Sequence, residues 1–254
     1  MTSTESRLSS GTVLRGMVWS GLAGTGLIGV GFWWIMGFCP PPSPNMDAAQ
    51  VAALFAAHPE RIRAGAILSV FGISLLGPFV AAISMQLRRM EGRIGAEGHS
   101  GLAYAQLGLG ALVILELVFP MVWWTAAAFR PGRDPGDIQT INDMAWLPFT
   151  SITSTVSLQC VIIAIAIIAD RRSRPVFPHW AAYFNFWTVL LFTPGAFVSF
   201  FKTGPMAWDG IIAWWLPFLG FGLWIVVMSA LLLRSAAAVD EPSPERVTVD
   251  SSHG

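Results

Sequence analysis

Long apolar stretches alternate with short polar segments along most of this chain. Six of the stretches are long enough to cross a bilayer as helices, because about 20 apolar helical residues span the hydrocarbon core. They cover residues 12–37, 64–87, 102–129, 144–169, 179–201 and 210–233. The pattern therefore predicts an all-α integral membrane protein, a bundle of six transmembrane helices over residues 12–234.

The segments that flank the spans are polar or rich in proline. Residues 1–11 predict a mobile cytoplasmic tail, and residues 235–254 a disordered one. Residues 38–47, with the sequence FCPPPSPNMD, predict an extended connector that ends at a helix-capping Asp47. Residues 48–58 then predict a short helix at the outer membrane interface.

Two further features predict where helices bend and begin. Gly77-Pro78 predicts a kink in the second span. The run RPGRDPGD within residues 130–143 has turn chemistry and predicts an outer loop. Asn142 or Asp143 would then cap the start of the fourth span.

Composition supports a membrane protein and narrows its partners. The chain is 54% hydrophobic and 12% charged, whereas a soluble domain has about 25% charged residues. Its formal net charge is zero, which gives no indication of a nucleic-acid partner. The expected partners are the lipid bilayer and, through membrane helices, a second copy or another protein. Cys39 and Cys160 fall at different depths and are not expected to pair.

The positive charges favour one orientation. With the N-terminus inside, ten arginines fall on the inner side and five cations on the outer side, in agreement with the positive-inside rule. Eight tryptophans fall at the outer boundary, as a one-sided aromatic belt would. They are Trp33, Trp34, Trp123, Trp124, Trp146, Trp208, Trp214 and Trp215. The predicted location is the inner membrane of a bacterium, with both termini in the cytoplasm.

The third span carries one acid, Glu116, near its middle. A carboxylate at that depth is costly, so the residue is a candidate for function. Pro120 cannot donate to the carbonyl of residue 116, so a carboxyl group and a free carbonyl occur at one position. Counting down from the outer tryptophans places Thr153 and Ser154 of the fourth span at the same depth, and Ser157 follows.

The outer half of the fourth span is rich in hydroxyl and amide side chains. They are Thr150, Ser151, Thr153, Ser154, Thr155, Ser157 and Gln159. Because a lipid-facing helix would not be built this way, the fourth span is expected to be enclosed by the others. Its hydroxyls and Glu116 predict a site for a proton, a cation or the polar part of an apolar ligand. The alternative is a protonated structural glutamate that bonds a neighbouring helix.

Two stripes of small residues at four-residue spacing run along the first span. They are Gly16/Ser20/Gly24 and Gly21/Thr25/Gly29. Small residues at this spacing allow helices to approach closely. We expect Gly21, Thr25 and Gly29 to pack within the monomer, and a dimer face is the alternative.

Two helical hairpins share a short pattern. Phe119-Pro120 is followed by the WLPF of Trp146–Phe149, and Thr193-Pro194 is followed by the WLPF of Trp215–Phe218. Both hairpins run from inside to outside and back, so the pattern predicts a parallel repeat. Chance is the alternative, because tryptophan and proline are favoured near span ends.

No motif assigns a cofactor. The four histidines lie in loops, in a tail or at a span boundary, so no haem or metal site is predicted. Neither a nucleotide-binding loop nor a catalytic triad is visible. The sequence favours a transporter-like or small-ligand-binding membrane protein over a non-catalytic subunit or scaffold. A membrane enzyme without its own metal or haem comes third.

Overall fold

The computed structural model describes residues 10–91, 100–130 and 132–240. The described residues form helices and no strands. Six helical stretches are long and apolar enough to cross a membrane, which confirms the predicted number of spans. Residues 1–9 and 241–254, which make up most of the two predicted tails, lie outside the described residues.

The elements follow one another as helices of three kinds. The α-helices are α1 (Ser10–Ile28), α2 (Ala48–Ala57), α3 (Pro59–Ser74), α4 (Leu76–Glu91), α5 (Gly101–Phe129), α6 (Pro135–Ser151), α7 (Ser154–Ala169), α8 (Trp180–Phe192) and α9 (Leu216–Asp240). A π-helix (Gly29–Ile35) continues α1, a 3-10 helix (Thr193–Phe200) continues α8, and a second π-helix (Ile211–Trp215) precedes α9. Spans one to six are therefore Ser10–Ile35, Pro59–Glu91, Gly101–Phe129, Pro135–Ala169, Trp180–Phe200 and Ile211–Ala237.

The spans form a ring in which each packs against the next, and α9 of span six returns to α1 of span one. Spans two and four also touch across the ring through α4 and α7. In the most apolar part of each span, 44% of the residues of span four are buried, against 50% in span two and 22% in span three. Span four is thus among the most enclosed in its apolar part, although Ser154 in its hydroxyl-rich half is exposed, and span three is the most exposed.

Span four begins earlier than expected and is interrupted. Asp134 caps α6 by accepting a hydrogen bond from the Gly136 backbone N–H at 2.8 Å, with Pro135 at the first helical position. The predicted loop over 130–143 is therefore too long, because it ends at Asp134, and capping by Asn142 or Asp143 is wrong, because both lie inside α6. The span then breaks at Ile152 and Thr153, between α6 and α7.

Three other boundaries test the sequence prediction. Asp47 caps α2 as expected, because it accepts from the Gln50 backbone N–H at 2.8 Å while the Gln50 side chain accepts from the Asp47 N–H. Span two is interrupted at Leu75, three residues before Pro78. The break that was predicted at Gly77-Pro78 therefore occurs slightly earlier in the chain. Helix α9 runs to Asp240, so the start of the predicted disordered tail is helical.

Glycines bring span one onto span two. A side chain at Gly24 would meet the Gly72 carbonyl oxygen at 2.4 Å, and one at Gly31 would meet the Gly65 carbonyl oxygen at 2.6 Å. Gly21 faces the Phe79 ring in the same way, but Gly29 faces open space. The contact between spans one and two therefore involves Gly21, Gly24 and Gly31. The predicted stripe of Gly21, Thr25 and Gly29, which has a residue at every fourth position, is not one contact face.

The buried residues form two cores at opposite ends of the bundle. The arginine end, where α4 and α7 end and α5 and α8 begin, has a mainly aliphatic core that includes Leu14, Ile83 and Ile163. The core of the aromatic end is richer in large rings, which pack with smaller apolar side chains. The rings are those of Phe32, Phe38, Phe55, Trp124, Trp146, Trp208 and Trp214.

The aromatic core corrects two predictions made at the sequence level. Trp124 and Trp146 are fully buried and Trp208 and Trp214 nearly so, whereas Trp34 is 71% exposed. Half of the predicted belt therefore packs inside the protein instead of facing the membrane interface. Helix α2 joins the same core through buried Phe55, so it covers the end of the bundle and does not only rest on lipid.

Candidate functional site

The Glu116 side chain lies on α5, one turn before the buried Pro120, and is half-buried. The Thr155 hydroxyl at the start of α7 donates a hydrogen bond to Glu116 Oε2 at 2.5 Å. Helix α5 runs through Pro120 without interruption. This hydrogen bond joins span three to span four directly below the break at Ile152 and Thr153.

A cavity of about 130 Å³ opens beside the Glu116 carboxyl group. Spans three, four, five and six all contribute to its walls. It is lined by Val113, Glu116, Leu117, Pro148, Phe149, Thr150, Ile152, Thr153, Val156, Phe192, Ala213, Trp214, Pro217, Phe218 and Phe221. Among these described residues Glu116 is the one ionisable side chain, so the cavity is an apolar chamber with a carboxyl group at one wall.

Three of the four spans that form the cavity depart from α-helical geometry beside it. Span four is broken at Thr153, span five changes to a 3-10 helix just after Phe192, and span six is π-helical at Trp214. In the break, the Thr153 N–H bonds only as far back as the Ser151 carbonyl, at 2.8 Å. Non-helical backbone at membrane depth is tolerated where it lines a cavity or is buried in protein.

A glycine permits the close approach of the two interrupted helices of spans four and five. A side chain at Gly195, in the 3-10 helix, would meet the Thr150 carbonyl oxygen at 2.6 Å and the Thr153 methyl group at 2.9 Å. The Thr150 hydroxyl is itself occupied, because it donates to the Trp146 carbonyl at 2.7 Å. The other polar side-chain groups among the lining residues are the Glu116 carboxyl group, the Thr153 hydroxyl and the Trp214 indole N–H, which is buried without an acceptor among the described residues.

The WLPF segments of the two hairpins meet at this cavity. Pro148 and Phe149 come from the first segment, and Pro217 and Phe218 from the second. The Trp214 ring bridges them, with its centroid 5.8 Å from that of Phe149 and 5.4 Å from that of Phe218. Aromatic rings at these separations attract one another, so they form a continuous wall.

The hydroxyl groups that were predicted to lie beside Glu116 occupy different environments. Thr153 lines the cavity as expected, but Ser154 is exposed, and half-buried Ser157 does not line the cavity. The partner of Glu116 is Thr155, which the depth count missed by one to two residues. Such a count gives depth along a helix but not the side of the helix, and the break at Thr153 turns Ser154 away.

Sequence reasoning also missed the aromatic wall, although a signal for it was present. The two WLPF segments stood out as a repeat, but their proline and phenylalanine were not expected to face one site.

The other predictions about chemistry concern metal sites and disulfides, neither of which the sequence predicts. No group of three or more metal-binding side chains occurs within residues 10–91, 100–130 and 132–240. Both cysteines are free, as expected from their depths.

Comparison of the chain with family models, curated proteins and solved structures finds no significant match. The site must therefore be interpreted from its own geometry.

Proposed function

We propose that this protein is a transporter-like or small-ligand-binding membrane protein whose site is the cavity at Glu116. The observation that carries the proposal is a carboxyl group at the wall of an apolar cavity, beside one broken span and two spans that depart from α-helical geometry. Transporters commonly form their substrate sites from discontinuous helices near the middle of the membrane. A packing glutamate would have no need of a cavity or of broken helices around it.

The size of the cavity limits the ligand. At about 130 Å³ it is far below the 300–1,000 Å³ of a drug-sized site, and close to the roughly 150 Å³ that accommodates benzene. The proposed occupant is a proton or cation with its waters, or a small apolar molecule with one group that hydrogen-bonds Glu116. Thr153 would be the second polar contact, and Thr155 would hold the carboxyl group in place.

The test compares wild type with Glu116→Gln, because glutamine keeps the size and hydrogen-bonding capacity of the protonated acid but cannot release a proton. Proteoliposomes with an entrapped pH dye would report proton flux under an imposed pH gradient, with and without sodium. We expect Glu116→Gln to fold with an unchanged melting temperature and to lose ion-coupled flux. A glutamine variant that matches wild type at every pH would leave Glu116 a structural role.

Orientation forms part of the proposal, with both termini in the cytoplasm of a bacterium. Seven described arginines lie at the arginine end, against two acids there. They are Arg15, Arg88, Arg89, Arg171, Arg172, Arg174 and Arg234, against Glu91 and Asp170. The aromatic end has five cations and six acids. They are Arg61, Arg63, Arg130, Arg133 and Lys202, against Asp47, Glu60, Asp134, Asp137, Asp143 and Asp209. This asymmetry supports a cytoplasmic arginine end.

Thiol labelling of intact cells tests that orientation. A cysteine placed at Gly132 should react with an impermeant maleimide, and one placed at Gly95, which lies outside the described residues, should not. The native background is low, because Cys39 and Cys160 are buried and burial raises the pKa of the Cys39 thiol. A raised pKa leaves less thiolate at neutral pH, so Cys39 should react only as the pH rises. Labelling at Gly95 alone would invert the topology.

The parallel repeat is also a proposal. It is supported by the contribution of one proline and one phenylalanine from each WLPF segment to the same cavity. Glu116 has no acidic counterpart in the second hairpin, where Leu190 takes its place. The acid would then be a specialisation of one copy.

A scaffold is the second candidate function, and one observation favours it. Span one exposes Gly16, Gly26 and Gly29, and a side chain built at any of them meets nothing within 4 Å. Small exposed residues suit close contact with a helix of another chain. A monomeric mass in detergent, unchanged by Gly26→Leu, would count against a self-associating scaffold.

A further inference from the structure

Two arginines at the arginine end are held in fixed positions by buried side chains. Arg89, near the end of α4, donates through Nη1 to the Gln86 Oε1 atom at 2.8 Å, and Gln86 is only 1% exposed. Arg172, just after α7, lies with its Nε 3.0 Å from the Asp170 Oδ1 atom, and Asp170 is 2% exposed. Each guanidinium group is thus anchored by a buried partner, although Arg89 itself is exposed.

Among the described residues, the charges around Arg89 and Arg172 are not balanced. Arg89 lies within electrostatic range of both Arg172 and Asp170. The Asp170 Oδ2 atom accepts from the Val176 backbone N–H at 2.9 Å, and its Oδ1 atom faces Arg172. Glu91, the other described carboxylate beside them, accepts from the Leu102 and Ala103 N–H groups at the start of α5. Two fixed guanidinium groups therefore share one carboxylate.

Both guanidinium groups are accessible from outside the bundle. Arg89 is exposed, and the Arg172 side chain is 22% exposed. The surrounding arginines, Arg88, Arg171 and Arg174, are also exposed and add further positive charge.

We propose that Arg89 and Arg172 bind the phosphate of an anionic phospholipid where α4 and α7 end. A guanidinium group matches phosphate oxygens with two parallel hydrogen bonds, and basic pockets between helix ends bind anionic headgroups. A lipid is favoured over a soluble phosphate because lipid-facing side chains flank the site. Ile168 on α7 is 48% exposed and Trp180 at the start of α8 is 50% exposed, so acyl chains have apolar surface beside the headgroup.

The test uses the full chain in nanodiscs of phosphatidylcholine, with or without phosphatidylglycerol. Native mass spectrometry counts retained anionic lipid, and a thermal scan measures the stabilisation that it gives. We expect phosphatidylglycerol to be retained and to raise the melting temperature of wild type. Arg89→Gln should weaken lipid retention about fivefold, the effect of one arginine near a membrane surface.

Arg171→Gln is the matched control, because it removes the same charge from an exposed arginine with no buried partner shown. Arg172→Lys keeps the charge beside Asp170, and so the fold, but removes the forked donor, and it should lower retention as Arg89→Gln does. Equal losses in Arg171→Gln and Arg89→Gln would overturn the proposal in favour of diffuse attraction. So would equal retention of the two lipids, or displacement of the lipid by millimolar inorganic phosphate.

Discussion

The two ends of the bundle hold together in different ways. At the arginine end the helices are regular and the core is mainly aliphatic, and the buried Trp224 indole donates to Asn185 Oδ1 at 3.0 Å. At the aromatic end the helices are interrupted and the core is built from large rings, and the Trp124, Trp146 and Trp214 indole nitrogens have no acceptor among the described residues.

The difference between the two ends determines where the cavity lies. The cavity at Glu116 coincides with the irregular segments of the helices. Where spans four, five and six depart from α geometry, large rings fill most of the space, and a cavity remains beside Glu116. The regular end thus serves as a frame, and the irregular end contains the site.

The largest expected effect comes from truncating the centre of the aromatic core. Trp146 is fully buried, with ring centroids 4.8 Å from Trp124 and 5.6 Å from Trp214. Trp146→Ala should lower the free energy of unfolding by about 4 kcal/mol, because a large cavity would remain. The measurement is denaturant unfolding in detergent micelles.

Trp19→Ala is the control for that change, since Trp19 is 61% exposed. It should cost less than about 0.5 kcal/mol. If the two alanine variants were equally stable, the rings would only fill space loosely, and the contrast between the two ends would fail.

The next largest effect concerns the close packing of span one against span two. Gly24→Leu places a side chain where a Cβ atom alone would lie 2.4 Å from the Gly72 carbonyl oxygen. Because backbone cannot move aside as a side chain can, α1 should separate from α3 at a cost of about 3 kcal/mol. Gly26→Leu, two residues away and facing open space, should unfold like wild type. A tolerated Gly24→Leu would mean that spans one and two can slide apart freely.

The smallest effects are expected from the loss of a single hydrogen bond, one at each end of the bundle. Asn185→Leu removes the acceptor of the fully enclosed Trp224 N–H and should cost about 2 kcal/mol. Thr155→Val removes the donor to Glu116, but the carboxyl group lies beside a cavity where water can replace it. We therefore expect a loss of about 0.5 kcal/mol there. Thermal unfolding of both variants gives the difference, and equal losses would mean that the cavity is dry.

Much of this arrangement could be predicted because apolar length and helix capping are local properties. The six spans follow from hydrophobic runs, and the Asp47 cap follows from its position before Ala48. Glu116 could be singled out because a carboxylate in an apolar helix is rare. Each of these inferences needs only a few consecutive residues.

The rest depends on how helices are rotated and where they break. Thr155 and Ser154 are adjacent in sequence, yet one bonds Glu116 and the other is exposed. Trp34 and Trp146 have the same setting in sequence, at the end of an apolar run, yet one faces outward and the other is buried. Only the packing of distant spans decides between such pairs, so a periodic pattern cannot.

The cluster of Trp124, Trp146 and Trp214 also gives the molecule an optical signature. Indole transitions couple when rings are held a few ångströms apart in fixed orientations, as the first two are at 4.8 Å and 62°. The near-ultraviolet circular dichroism of the protein should therefore be strong, and it should report on the wall that borders the cavity. A ligand that enters beside Trp214 would be visible by its effect on the protein's own absorption, without any label.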